Sequence, residues 1–149
     1  MKLKIAWLYP NLMGTYGDRG NILSLVKRCQ WRGIEVEVLE VGLTADPKSL
    51  DDCNLLFMGG AQDRQQKIVA ADILENKGPR IIDLINGNTV ALFVCASYQF
   101  MGRYYKTADG QGIPGLGLFD LYTTNPGPNF KRCIGNIVVE ILPESLGLQ

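Results

Sequence analysis

The chain has 149 residues, with 15 Lys and Arg against 15 Asp and Glu, 46% hydrophobic residues and no histidine. That is enough for one globular domain and little more, and the balanced, scattered charge argues against a nucleic-acid surface, which needs clustered Lys and Arg. Without histidine the chain cannot by itself carry a His-ligated zinc site, a His-Glu-x-x-His protease motif, or a Ser/His/Asp or Cys/His catalytic relay.

Leu3 to Tyr9 is mostly apolar and β-favouring and is stopped by Pro10, which predicts a first strand. A loop rich in turn formers follows, with Asn11, Gly14, Gly17, Asp18 and Gly20. From Asn21 to Arg32 the apolar residues Ile22, Leu23, Leu25, Val26 and Cys29 recur at helical spacing, and Gly33 stands where such a helix stops. Ile34 to Leu39 alternates as a second strand. Cys53 to Met58 is a short apolar run ending in Gly59-Gly60, suited to a strand buried on both faces. Gln62 to Asn76 predicts a helix with Ile68, Val69, Ile73 and Leu74 on one side, and Pro79 opens another that runs to Ile85 and closes at Gly87. Thr89 to Val94 is the most strand-like run and delivers Cys95 at its C-terminal end, with Ala96 to Met101 able to form a helix behind it. Beyond about Gly102, turns at Asp109-Gly110 and Pro114-Gly115 and the stretch Asn125 to Pro128 predict hairpins or irregular structure, and a last strand is expected from Cys133 to Leu142.

Strands alternating with helices predict an α/β sheet that is mostly parallel, with helices on both faces. Ligands of such sheets bind outside the carboxyl ends of the strands. Three loops occupy that edge: Pro10 to Gly20, Gly59 to Asp63, and the one that begins at Cys95.

Other classes of function find little support. The first apolar run is too short for a signal peptide or a membrane span, so no membrane insertion is expected. Cys29, Cys53, Cys95 and Cys133 are widely separated with no C-x-x-C pair, which fits a reduced, cytoplasmic chain. Gly14-x-x-Gly17-x-x-Gly20 satisfies neither dinucleotide nor P-loop spacing. Asp51, Asp52, Asp63 and Asp83 form no metal-ligand pattern, and Asp18 reads as a loop or helix-capping residue. Trp7, Trp31, Tyr104 and Tyr105 read as packing residues, with Tyr104-Tyr105 available to a partner interface.

A cysteine between a buried strand and a following helix can have its thiol exposed at a sharp turn, where the helix N-terminus favours the thiolate. On spacing alone, the commoner reading of Cys95 is a small buried side chain at a strand end. Gly59-Gly60-Ala61, at the end of the preceding strand, shifts that balance. Glycine lets backbone N–H groups approach a ligand closely, and together with the N–H after Cys95 such a loop can make an oxyanion hole.

Six segments spread over most of the chain carry a resemblance: Leu8-Tyr9-Pro10-Asn11-Leu12-Met13, Tyr16-Gly17-Asp18-Arg19-Gly20-Asn21, Arg28-Cys29-Gln30-Trp31-Arg32-Gly33, Gly59-Gly60-Ala61-Gln62-Asp63-Arg64-Gln65-Gln66, Cys95 through Gly102, and Ile113-Pro114-Gly115-Leu116-Gly117-Leu118. As a set they resemble the class I, triad-type glutamine amidotransferases, and within them the cobyric-acid-synthase-like branch. The resemblance implies a flavodoxin-like three-layer α/β sandwich with a mostly parallel sheet, residues 1–149 forming the N-terminal and central part of one amidotransferase domain truncated at its C-terminus.

It also implies roles. Cys95 would be the nucleophile that attacks the side-chain amide of L-glutamine, forming a glutamyl thioester and releasing ammonia. The backbone of Gly60 and Ala61, with that of Ala96, would stabilise the oxyanion. Arg132 would pair with the α-carboxylate of glutamine, and Gln99 would help to line the pocket; without the resemblance, both read as ordinary surface positions. No cofactor or metal is implied. The implied partner is a Mur-ligase-like synthetase subunit of the MurT type, which carries the ATP chemistry and amidates the D-glutamate of lipid II in peptidoglycan synthesis.

Departures from the family pattern fall at the elbow and at the end of the chain. Phe93 and Ser97 stand where small residues, often Gly, are usual, Ala96-Ser97 replaces a Gly-Gly, and Ala61 replaces a third glycine. The family's catalytic His lies downstream of the matched region. General-base assistance contributes about 10²–10⁴-fold, so the 149-residue chain alone is expected to show little or no glutaminase activity. Two rivals stand beside this reading: a noncatalytic α/β binding or scaffold subunit, and an amidotransferase domain of cobyrinate amidation.

Overall fold

The computed structural model describes residues 2–131 and 135–140. Its centre is a four-stranded sheet in the order β2-β1-β3-β4, every pair parallel. The strands are β1 (Lys2–Leu8), β2 (Glu35–Val41), β3 (Leu55–Met58) and β4 (Val90–Phe93). Parallel neighbours need long crossovers. Helix α1 (Arg19–Gln30) supplies the first, and α2 (Asp63–Asp72), a π-helical turn (Ile73–Lys77) and α3 (Gly78–Asn86) run head to tail to supply the last.

Alternation along β1 and β3 decides which helix covers which face. Ile5 and Trp7 of β1, with Leu55 and Phe57 of β3, pack against Ile22, Leu25 and Val26 of α1. Ala6, Leu8, Leu56 and Met58 point the other way, into a larger core with Val69, Ala70, Ile73, Ile81 and Leu84. The central pair is thus buried on both faces, as the unbroken apolar run at Leu55 to Met58 predicts. Burying each such side chain contributes about 1.5–3 kcal/mol, which is why the two central strands hold the fold. β4 differs: Ala91 and Phe93 join the larger core, while Val90 and Leu92, 64% and 41% exposed, lie on a face that α1 does not reach.

The predicted helix over Gln62 to Asn76 and its successor at Pro79 are one continuous helical stretch interrupted by the π turn. That turn brings Lys77 back over Asp72, five residues earlier, a pairing an α-helix does not give. Lys77 is fully buried, donates to Asp72 Oδ2 at 2.7 Å and to the Leu43 carbonyl at 3.0 Å, and lies 5.5 Å from the Tyr9 ring centroid. Tyr9 Oη donates to the same carboxylate oxygen at 2.7 Å. Burial pushes the Asp72 carboxyl up, but the hydrogen bonds from Lys77, Tyr9 and Asn76 outweigh it and hold it below the usual carboxylate range. Burial and the bond to Asp72 push the Tyr9 phenol well above its ordinary value.

Past α4 (Ala96–Met101) a small second sheet forms, with β5 (Tyr104–Lys106) antiparallel to β6 (Gly112–Pro114) and parallel to β7 (Thr123–Thr124). The hairpin matches the turn signals at Asp109-Gly110. Tyr104 stacks on Tyr122 at 5.2 Å and Tyr105 is buried, so these aromatics serve mainly to fix the small sheet. The last expected strand is not seen in its described part: Gly135 to Glu140 is exposed chain assigned to no strand, and Cys133, Ile134, Ile141 and Leu142 lie outside the described residues. Among the described residues no helix is long and apolar enough to cross a membrane.

Candidate active site

In the order β2-β1-β3-β4 the chain reverses direction of growth between β1 and β3, and in such sheets ligands bind beyond the carboxyl ends of the strands at that point. The loops after β1, β3 and β4 meet at that edge. Those are the three loops singled out from the sequence.

Cys95 follows β4 and precedes α4, with φ 61° and ψ −118°. A side chain held at positive φ in this way costs of order 1–3 kcal/mol and persists only where its surroundings impose it. Here they do. Ser97, fully buried, donates from Oγ to the Met58 carbonyl at 2.7 Å, with the Val94 carbonyl 2.9 Å away, tying the turn to the end of β3. Val94 N–H donates to the same Met58 carbonyl at 3.1 Å. The hydroxyl at position 97, a departure from the family's glycine, therefore serves as the clamp of the elbow. Phe93 is half-buried and lines an apolar groove with Tyr98, Leu118 and Phe119, a lining that includes neither Cys95 nor Gly60. The result is an exposed thiol, in contrast to the half-buried Cys29 and the buried Cys53, whose thiol burial pushes up.

Facing it is the turn after β3. A Cβ placed on Gly60 would lie 3.0 Å from Cys95 Cβ, 3.2 Å from Cys95 Sγ and 3.2 Å from Tyr16 Cδ2. Glycine is thus the residue that lets this backbone touch Cys95, and Tyr16, from one of the segments that carry the resemblance, packs against the same turn. Ala61 and Ala96 are buried at the same place, Ala96 as the first residue of α4. The structure accordingly brings Cys95, Gly60, Ala61 and Ala96 together. Gln99 is half-buried on α4, and Arg132 lies outside the described residues.

Asp18 lies in the loop before α1, where the sequence puts it, but its carboxylate does not cap the helix. It occupies the N-cap position of α1, yet its side chain makes no capping hydrogen bond. The carboxylate is instead buried beneath the turn after β3, where Oδ2 accepts from Gly60 N–H at 3.0 Å. A Cβ on Gly59 would come within 2.3 Å of its Cγ, so Gly59 is glycine because Asp18 lies under it. The only sequence signal was the Gly17-Asp18-Arg19-Gly20 cluster at the right sheet edge. Among the described residues, no group of three or more Cys, Asp or Glu side chains is placed to hold a metal ion.

The open parallel sheet, with Cys95 exposed on a strained strand-to-helix elbow beside a glycine turn, places the chain among the α/β proteins that gather their sites at the carboxyl edge of the sheet. The sequence places it more narrowly: residues 4–147 match the CobB/CobQ-like glutamine amidotransferase domain, and the chain belongs to that family. It is 41% identical over 138 residues to the lipid II isoglutaminyl synthase (glutamine-hydrolyzing) subunit GatD of Streptococcus pneumoniae strain R6, covering 93% of this chain and 52% of that protein. It is 34% identical over 139 residues to the same-named subunit of Staphylococcus aureus strain N315, covering 93% of this chain and 55% of that protein. The chain spans about half the length of these curated relatives. A crystal structure of a peptidase from an acI-B1 actinobacterium shares the fold at TM-score 0.52 and 15% identity, over 77% of this chain and 51% of that one.

Proposed function

We propose that this chain supplies the nucleophile half of a glutaminase site in a glutamine-dependent amidotransferase. The observation that carries the reading is the exposed Cys95 thiol at a positive-φ elbow, in contact distance of the Gly60 backbone. In the proposed reaction Sγ attacks the side-chain carbonyl carbon of L-glutamine. The C–N bond breaks, the thiol proton leaves with ammonia, and water then cleaves the thioester to glutamate and free thiol. Donors among the backbone N–H groups of Gly60, Ala61 and Ala96 offset the charge that develops on the carbonyl oxygen, an effect worth about 10²–10³-fold per donor. Arg132 would hold the α-carboxylate and Gln99 would line the pocket.

The relatives' names support a particular acceptor. The ammonia would pass to a Mur-ligase-like synthetase of the MurT type, which amidates the D-glutamate of lipid II in the cytoplasm, the two chains forming a heterodimer. The base that takes the thiol proton would come from the part of such proteins that extends beyond the matched half. The test is alkylation with a chloroketone analogue of glutamine, in which Sγ displaces chloride beside the carbonyl. The expected result is selective modification of Cys95, blocked by excess glutamine; equal modification of all four cysteines would overturn the reading.

A further inference from the structure

We infer that Asp18 is a positioning residue that sets the oxyanion hole, and that Ala61, not Gly60, presents the loop's free donor; this rests on the glutaminase reading above. The Gly60 N–H is committed to Asp18 Oδ2 at 3.0 Å. The Gly60 carbonyl accepts from Thr15 N–H at 3.2 Å. Both ends of this residue are therefore held by one loop, the stretch after β1. The chain has no cis peptide among the described residues, and in a trans peptide the N–H points opposite to the preceding carbonyl. With the Gly60 carbonyl turned toward Thr15, the Ala61 N–H is turned away from that loop. It donates to no acceptor among the described residues.

Three further observations fit this assignment. Asp18 is only 4% exposed, and its carboxylate leaves its own helix uncapped in order to make the bond to Gly60. A hydrogen bond to an ionised acceptor is among the stronger ones available, so the turn is held in one orientation before substrate arrives. Finally, the side of Gly60 that a Cβ would occupy faces Cys95 Sγ at 3.2 Å, so the turn so fixed is the one that borders the nucleophile. Ala96 N–H, at the first position of α4 and next to Cys95 in the chain, is the second donor. A preorganised donor costs no reorganisation when charge develops, which is where a positioning carboxylate exerts its effect.

The test compares two alkylations of Cys95 in the same protein: by the chloroketone analogue of glutamine, whose carbonyl oxygen needs the donors, and by iodoacetamide, which reports the access and reactivity of the thiol without recognition of a glutamine side chain. Asp18→Ala should lower the chloroketone rate at least tenfold relative to the iodoacetamide rate. Asp18→Asn, which keeps a carbonyl oxygen facing Gly60, should stay within threefold of the unaltered protein. An unchanged or faster chloroketone rate in Asp18→Ala overturns the inference while leaving the glutaminase reading intact. Unaltered protein that shows no preference for the chloroketone overturns both. Should Asp18→Ala fail to fold, amide NMR of the unaltered protein decides. On chloroketone labelling the Ala61 and Ala96 amide signals should move and that of Gly60 should hold, whereas a large shift at Gly60 with none at Ala61 overturns the inference.

Discussion

Replacing Lys77 with Met removes one partner of a buried ion pair and keeps the volume of the stem. Lys77 is fully buried and makes two hydrogen bonds, at 2.7 Å to Asp72 and 3.0 Å to the Leu43 carbonyl. Without it the Asp72 carboxylate retains only Tyr9 Oη and Asn76 Nδ2 as donors. Breaking a buried pair from one side costs about 3–5 kcal/mol, because a desolvated charge is left behind. For a chain of this size that is roughly 6–20 °C in Tm. The sign with pH follows from Asp72. Its folded-state pKa is depressed, so its contribution is present above the unfolded value near 4 and is lost as pH falls through the folded value. In Lys77→Met the strongest interaction lowering that pKa is gone, so the carboxyl takes up its proton at a higher pH than in the unaltered protein. Protonation then relieves the penalty, and the deficit relative to the unaltered protein should narrow between pH 7 and pH 4. Urea unfolding of both proteins at the two pH values measures this. A deficit under about 1 kcal/mol at pH 7, or one that is the same at pH 4, would refute the assignment of Lys77 as the counter-ion of Asp72.

Three other outcomes follow from the same geometry. Cys95→Gly should stabilise the fold by about 1–2 kcal/mol in urea unfolding, because glycine tolerates the positive φ, while abolishing modification by the glutamine chloroketone; a destabilised variant would mean the elbow is not strained. Gly59→Ala should destabilise by about 1–3 kcal/mol or more through collision with Asp18 and the Met13 carbonyl, whereas Gly20→Ala, in α1 with open space around it, should gain up to about 1 kcal/mol; the opposite ranking by thermal unfolding would count against the buried position of Asp18. The raised phenol pKa of Tyr9 contributes stability that is present below about pH 10 and lost as pH rises above it, so stability should fall in strongly alkaline solution. Tyr9→Phe should reduce that fall and cost about 1–3 kcal/mol at pH 7, and an alkaline fall that survives it undiminished would place the titrating group elsewhere.

The sheet was readable from the sequence because its strands are short apolar runs bounded by Pro10, Gly59-Gly60 and the turn at Cys95, and because burial on both faces leaves an unbroken hydrophobic signal at Leu55 to Met58. The place of Cys95 was readable for a related reason: a strand end names the residue at the sheet edge, whatever lies around it. What could not be read depends on spacings that periodicity misses. Asp72 and Lys77 are five apart, which an α-helix puts on different faces, and only the π turn joins them. Gly78 marks that turn, since a Cβ there would lie 2.3 Å from the Ile73 carbonyl and 2.4 Å from Leu116 Cδ2, but a lone glycine beside a proline reads as an ordinary helix start.

Asp18 and Gly60 are 42 residues apart, and no local pattern distinguishes a carboxylate that caps its own helix from one that reaches across to a neighbouring loop. The two networks share an origin. Tyr9, at positive φ, turns the chain out of β1, accepts at its carbonyl from Leu12 and Met13 N–H, and is anchored below by Asp72 and Lys77. The loop that leaves it carries Thr15, Tyr16 and Asp18 to the Gly60 turn. A buried polar triad is an expensive way to hold a strand end, and a hydrophobic replacement of similar volume is often as stable. Its place here has a local consequence: the loop it anchors carries both groups that fix Gly60, the residue packed against Cys95.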